Sequence, residues 1–545
     1  MRSRSEWART TAILALMVGG HLIGLARTPL PAPDGLVYLR VARDFQTQPW
    51  YHVVQDTDRH PLYPALVALL QPLASRLNTA FDWDASTSTL WRISGQMVAI
   101  GGWVMIVTGL IALSRLWLGR GLALWIVAWV GLTPVFNTIS HDTLADSWMV
   151  GVCVWAWWLF NTTLATQRWF NPALAFVSGW LIGVGYGFKP DAILMAALIL
   201  ASVWGTPRER STWYQRGLVT ITFLVGLMIT CGCYALVKGA VSEKLSVRLS
   251  IGLSPMAAEK LRLKDTSPSN LLAGWTPKEE TDANQENALT STVFAALATG
   301  LRATGVPGSL AIVLGSVWFS RIHGRSHPIL AQTGFGLTII TLAQSMQYER
   351  LHYLSERHAW LIGCFGVIWC AWVANHLFEQ LRLARGPGIQ RWCSLVCGFL
   401  LLIGFGLASR GNHLSRAAQL EAATWLQSRL VDGERVFDSR GFVLFVTQRR
   451  DYDAWHLTQA LTDHHLRYLV FQRNEVEGKS NRAEAIRRVL RDRNAALVGA
   501  FDGSPPHRGG EDRSVLIYQL GRPNFAGDPI TRGQEVATCG QLQPK

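Results

Sequence analysis

Eleven apolar stretches of about 20 residues, parted by short polar loops, constrain this chain more than anything else in it. A segment surrounded by lipid has to satisfy its own backbone hydrogen bonds, and a helix is how a single segment does so. The stretches run over Thr10–Ala26, 91–113, 121–138, 147–165, 172–187, 190–205, 217–237, 305–320, 328–346, 359–377 and 392–409. With 49% hydrophobic and only 16% charged residues, and a mean hydropathy of +0.17, the chain reads as an α-helical polytopic membrane protein with about 11 transmembrane helices. Many of the 24 Trp, among them Trp7, Trp91, Trp117, Trp148, Trp213 and Trp318, fall near the ends of these runs, where an amphipathic ring suits the membrane–water interface.

The net charge of +14 does not point to nucleic acid, because the arginines cluster in short loops between apolar runs and so report topology. The segment 61–75 is short and carries Pro61, Pro64 and Pro72, which suits an interfacial helix on the outer leaflet. With 61–75 not spanning, Arg115/Arg120, Arg168, Arg208/Arg210/Arg216, Arg321/Arg325 and Arg382/Arg385/Arg391 all fall on the cytoplasmic side; with it spanning, nearly every later loop breaks the positive-inside rule. The basic start and first apolar run are read as an uncleaved helix with its N-terminus in the cytoplasm. This places a multi-pass protein in the cell (inner or plasma) membrane, with Asp34, His60, Asp142, Asp146, Lys189, Arg357 and His358 on one extracytoplasmic face.

The expected organisation is a membrane domain over 1–411, with a first outer loop at 28–90 bearing interfacial helices and a long outer loop at 238–304 in which Ala288–Leu301 reads as a surface helix. From 412 to 521 the composition turns soluble and predicts a small α/β extracytoplasmic domain. Its helices are expected at Ala417–Leu430 and Arg482–Arg493, and its strands at Arg435–Asp438, Phe442–Val446, Tyr468–Phe471 and Ser514–Tyr518. Residues 522–545 read as a tail. The domain holds no nucleotide-binding glycine fingerprint. Seven of the 8 Cys lie in or beside apolar runs and offer neither a disulfide framework nor a metal site.

Charge beside a membrane needs a role or full solvation. Asp34 opens the first outer loop, with Tyr38 one helical turn later; the plain alternative is a helix N-cap. His60 precedes the interfacial helix and suits a phosphate as well as a packing role. Asp142 and Asp146 stand four residues apart before the run at 147, where carboxylates also suit a helix dipole. Lys189-Pro190-Asp191 ends a glycine-rich stretch, Gly179–Gly187, whose small residues permit close helix packing, although the charges alone would also make a solvated turn. Arg357 and His358 stand nearest the following helix in a loop dense in donors for anionic oxygen.

The ordered series Asp34-Gly-x-x-Tyr38, His60-Pro-Leu-Tyr-Pro64, Asp146-Ser, Gly185-Tyr-Gly-Phe-Lys-Pro-Asp191 and Tyr353-Leu-Ser-Glu-Arg-His358 resembles the polyprenyl-phosphate-dependent glycosyltransferases of the GT-C fold, with the protein O-mannosyltransferase and lipid A aminoarabinose transferase group nearest. The resemblance implies a GT-C-like membrane domain and sugar transfer from a polyprenyl-phosphate-linked donor to a hydroxyl of a protein, lipid or glycan acceptor. It maps the catalytic acid onto Asp34 as general base and the second-loop acid onto Asp146. Tyr38, His60, Asp142, Lys189, Arg357 and His358 are the expected substrate-binding residues. Two departures, Gly35 in place of a second acid and His60 in place of the commoner lysine, leave a divalent metal and the donor's identity open. A transporter or flippase of lipid-linked saccharides would carry charges at mid-membrane depth and repeated halves, and the sequence shows few such charges and no repeat. A non-catalytic scaffold would be indifferent to loss of Asp34.

Overall fold

The computed structural model describes residues 2–119, 121–140, 142–165, 171–205, 212–239, 288–324, 327–351, 354–385, 388–413, 416–453, 456–479, 481–502 and 514–521. Most of the expected outer loop, 240–287, and the whole expected tail lie outside the described residues, as does Tyr353 of the resemblance series.

Every one of the eleven apolar stretches is helical. Among the described residues, six helices are long and apolar enough to cross a membrane: Trp7–Arg27, Thr87–Leu118, Trp213–Lys238, Thr292–His323, Pro328–Glu349 and Glu356–Ala384. The stretch expected at 121–138 is broken into α6 (Ala123–Leu132) and α7 (Pro134–Ser140), which meet at 78°. Pro134 explains the break, since it donates no N–H and crowds the preceding turn. Counting that pair as one span gives seven; shorter apolar helices occupy Pro172–Phe188, Pro190–Gly205 and Ser394–Ala408.

The segment expected as the first outer loop folds as α2 (Pro33–Thr47), α3 (Trp50–Asp56) and α4 (Leu62–Phe81), ahead of α5 (Thr87–Leu118). Helix α4 is not among the helices apolar enough to span. Tyr63, Pro64 and Val67 are buried, while Leu69, Leu73, Leu77 and Phe81 form an exposed apolar stripe at four-residue spacing. A helix lying along a membrane surface presents such a face.

Helix α8 (Asp146–Ala165) packs between α5 and α9 (Pro172–Phe188), and α9 in turn against α11 (Trp213–Lys238), after α10 (Ile193–Gly205). The last pair approaches backbone to backbone: a Cβ on Gly183 would lie 2.9 Å from the Leu227 carbonyl oxygen, and one on Gly179 would run into that of Phe223. The glycine-rich stretch therefore permits close packing as its sequence suggests.

Ala288–Leu301 is helical, within α12 (Ala288–Leu310), which is interrupted by the non-helical Gly305 (φ +70°) ahead of Pro307 and is followed by a π-turn and α13 (Ser316–His323). Helices α14 (Pro328–Leu351), α15 (Trp360–Arg385) and α16 (Gly388–Ala408) complete the bundle.

After α17 (Ala417–Gln427), a five-stranded mixed sheet has the order β2-β1-β3-β5-β4, with β1 (Arg435–Asp438), β2 (Tyr452–Asp453), β3 (Leu466–Gln472), β4 (Ala496–Phe501) and β5 (Val515–Gln519). The first three strands run parallel and the last two pair antiparallel. Alternating side chains split between two apolar clusters: Val436, Val470 and Ile517 pack with Ala422 and Leu426 of α17, and Phe437, Leu469 and Leu516 with Ile486 and Leu490 of the basic helix. The expected strand Phe442–Val446 is instead a short helix, α18. Gly441, at φ +74°, turns the chain, and the buried Asp438 carboxylate accepts from the Val443 and Leu444 N–H groups at 2.7 and 3.3 Å, closing the first turn.

Candidate functional site

Asp34 is the second residue of α2, behind Pro33, whose missing N–H costs nothing at a helix start. Its carboxylate gathers two guanidinium groups that are far apart in sequence. Arg59, from the link between α3 and α4, donates at 3.3 Å, and Arg357, from the 3-10 turn leading into α15, donates at 2.5 Å. The side chain is still 31% exposed, so an incoming group can reach it.

Tyr38 lies one turn along α2, buried, with its ring edge-on to Tyr63 at 5.2 Å between centroids. Burial first, and then the charge of Asp146, push its hydroxyl up to about 12, while Lys189 and Arg59 act the other way and Asp34 adds to the rise. It therefore stays a hydrogen-bond donor at neutral pH. Three of the charges that reach this one hydroxyl, Asp34, Asp146 and Lys189, are those of expected site residues, and Arg59 joins them from the same loop as Asp34.

The second group centres on Lys189, which closes α9 in an extended conformation. Its ammonium is 2.5 Å from Asp146, at the start of α8, and 3.1 Å from Asp191. Burial opposes the charge on Lys189, but the two carboxylates reverse that effect and raise its pKa. The result is a fixed cation at the mouth of the bundle.

Two cavities flank it. One, of about 940 Å³, runs between α2, α3, α4, α9 and α11, and its walls include Trp50, Leu62, Leu69, Gly187, Tyr234 and Val237. His60, 4% exposed, stacks on Tyr234 (5.0 Å, 16°) and meets Tyr186 edge-on, which puts it against this groove. The other, of about 300 Å³, lies between α10 and α14 and is lined by Asp191, Gln344, Gln347 and His358 with aliphatic side chains below. His358 also accepts from the Ser355 N–H at 3.4 Å, closing its own turn.

Asp142 stands elsewhere. One carboxylate oxygen accepts from the Ala32 N–H at 3.0 Å and the Thr143 N–H at 2.8 Å, and the other is 2.8 Å from His413 Nε2. Burial pushes this carboxyl up, but His413, the Ala32 amide and Arg416 outweigh it and bring it to about 2. With both oxygens engaged and the side chain buried, Asp142 joins the first outer loop to the segment after α16, and its contacts do not include the Asp34 or Lys189 groups.

The sequence pattern did not single out Arg59, Asp191 and Tyr234 as site residues. The first two sat beside chosen positions, at Arg59-His60 and Lys189-Pro190-Asp191, and that adjacency was the available signal. Nothing local marks Tyr234 or Lys238, whose ammonium donates to the carbonyls of Gln55 (2.7 Å) and Thr57 and so ties α11 to the loop bearing Arg59.

Gly35 has a steric reason: a Cβ there would lie 3.0 Å from the Thr143 carbonyl oxygen and side chain. A second acid at this position would have to push Thr143 and Pro31 aside. The donors present do not fit a divalent metal either. Asp34, Asp146 and Asp191 are each paired with Arg or Lys, and among the described residues no group of three or more His, Cys, Asp or Glu is arranged to hold one.

No family model and no curated protein sequence matches the chain. Solved structures do. ArnT from Cupriavidus metallidurans bound to undecaprenyl phosphate is similar at 11% identity and a TM-score of 0.58, over 96% of this chain and 100% of that one. The same protein in the apo state gives 10% and 0.58, over 95% and 99%. The Archaeoglobus fulgidus oligosaccharyltransferase tethered with an acceptor peptide containing the NVT sequon gives 13% and 0.49, over 94% and 76%. At these identities the likeness is one of fold: a helical membrane protein of GT-C architecture with a small C-terminal sheet.

Proposed function

We propose that the protein is a membrane glycosyltransferase that moves a sugar from a polyprenyl-phosphate donor to an acceptor hydroxyl on the extracytoplasmic side. The observation that carries this is the Asp34 carboxylate held between Arg59 and Arg357 and grouped with a fixed Lys189 ammonium, in a fold whose α2, α4 and α9 also wall a long apolar groove. An isoprenoid chain suits the groove by its chemistry, which sets the donor phosphate against His60, Lys189 and the two arginines. The shared fold with a protein crystallised with undecaprenyl phosphate supports the same class of donor.

In the reaction, the acceptor oxygen attacks the anomeric carbon as the bond from that carbon to the phosphate oxygen breaks. Asp34 takes the hydroxyl proton, and the polyprenyl phosphate leaves with the bonding pair. Arg59 and Arg357 then have two anions to serve. Moving toward the leaving phosphate, where charge develops, they release Asp34 oxygens to accept the proton. Asp146 and Asp191 hold the Lys189 ammonium in place and do not themselves touch the reacting atoms.

The test is transfer itself. Purified protein in lipid nanodiscs is given radiolabelled polyprenyl-phosphate sugars together with membrane and cell-wall acceptors. Label is expected to appear on a hydroxyl acceptor in step with released polyprenyl phosphate. Labelled donor that crosses the bilayer intact, with no transfer to any acceptor, would overturn the proposal in favour of a flippase.

A further inference from the structure

Helix α2 has two working sides. Tyr38 lies about 40° around the helix from Asp34, whereas Arg40 lies about 240° around, on the far side. That far side is covered by the C-terminal α/β unit. Arg40 donates to the Asp453 carboxylate at 2.6 Å and to the Gly441 carbonyl at 3.4 Å. Arg43 lies over the Phe445 ring at 4.8 Å, and Asp44 is 3.1 Å from Arg450. The N-terminal end of α2 is held from the same direction. Arg416 donates to the Pro31 carbonyl and lies over the Phe442 ring, the Asn412 N–H donates to Thr28 Oγ1 at 2.9 Å, and His413 meets Asp142, which holds the Ala32 N–H.

Gly441 supplies an independent observation. Its φ of +74° is the left-handed region that favours glycine, and a Cβ there would run into the Arg40 guanidinium. The turn that starts α18 is thus shaped to receive the arginine.

We infer that the C-terminal α/β unit fixes α2 in the position where Asp34 meets Arg357, with Arg40 as the positioning residue seated between Gly441 and Asp453. These contacts reach α2 itself, the short stretch from Thr28 to Ala32 that leads into it, or Asp142, which holds the Ala32 N–H, so release of the unit loosens the helix that carries both Asp34 and Tyr38. The catalytic part of this inference rests on the proposed role of Asp34; the mechanical part does not. A misplacement of about 1 Å at a reacting group costs on the order of a hundredfold in rate, so a modest loosening of α2 is felt in turnover before it is felt in folding.

The test uses the full chain in nanodiscs, as wild type, Arg40→Gln, Asp453→Asn and the double variant. Hydrogen exchange over 33–47 reads the helix without any substrate, and exchange over 87–118 reports that the bundle is intact. Each single variant is expected to speed exchange in 33–47 about tenfold while leaving 87–118 unchanged. Each is also expected to lower kcat on the order of tenfold with donor KM within about twofold, and the double variant to cost no more than one single. Unchanged exchange at 33–47 in all three variants, or kcat losses that multiply in the double, overturns the inference. Should Arg40→Gln fail to fold, Gly441→Ala, which displaces the guanidinium from the other side, is expected to give the same exchange and kcat signature. Wild-type protein that moves no sugar contradicts the functional proposal, and the exchange readout still decides the mechanical part.

Discussion

Asp146 starts α8 and Asp142 lies four residues before it, yet the fold gives them opposite surroundings. Asp146 meets Lys189, whose chain neighbours Gly187 and Asp191 line two cavities, in the company of Asp34, Tyr38 and Arg357. Asp142 is turned the other way and sealed by His413 and the Ala32 amide. Both are buried carboxylates with a basic partner. What separates a site from a joint is what lies beyond the pair: an approachable carboxylate and a groove in one case, packed backbone in the other. A buried charge pair is therefore weak evidence of function until its surroundings are known.

Several measurements sharpen or break this contrast. The largest effect is expected at Lys189→Met, which removes the cation proposed for the phosphate and leaves Asp146 and Asp191 buried without it; transfer should fall on the order of a thousandfold and thermal stability should drop as well. Full stability with lost transfer would mean the two carboxylates are not held by Lys189. Next is Asp142→Ala, expected to cost about 3 kcal/mol in denaturant unfolding, because it strips His413 and the Ala32 amide of their partner. An unchanged midpoint would remove Asp142 from its role as a joint.

A pH series follows from the depressed Asp142 carboxyl. Its folded-state pKa of about 2 lies below the ordinary value near 4, so its contribution is complete above about pH 4 and is lost as pH falls toward 2. Wild type should therefore lose about 2 kcal/mol over that window that the alanine variant does not lose, and parallel acid curves would contradict this. The smallest effect belongs to Leu73→Ser on the exposed stripe of α4, which should weaken contact with lipid vesicles about twofold without altering the unfolding midpoint of detergent-solubilised protein.

The helical body was legible because a stretch of about 20 apolar residues leaves the backbone little choice in lipid. Asp34, Asp146, Lys189 and Arg357, which the fold brings together, stood out in the sequence for a related reason: charge at the end of such a run is costly unless used. What stayed hidden depends on contacts between distant segments. Nothing around Asp142 announces His413, 271 residues away, and nothing around Arg40 announces Asp453, 413 residues away. Phe442–Val446 has strand composition, and only the buried Asp438 carboxylate beneath its first turn makes it a helix.

The most direct measurement compares the turnover of Asp34→Asn and Asp142→Asn in the same nanodisc preparation, normalised to folded protein. The expected result is a loss on the order of a thousandfold for Asp34→Asn, with its unfolding midpoint near wild type, and turnover within about threefold of wild type for Asp142→Asn. Wild-type turnover by Asp34→Asn, or equal losses in both variants, would contradict the assignment of Asp34 as the working carboxylate.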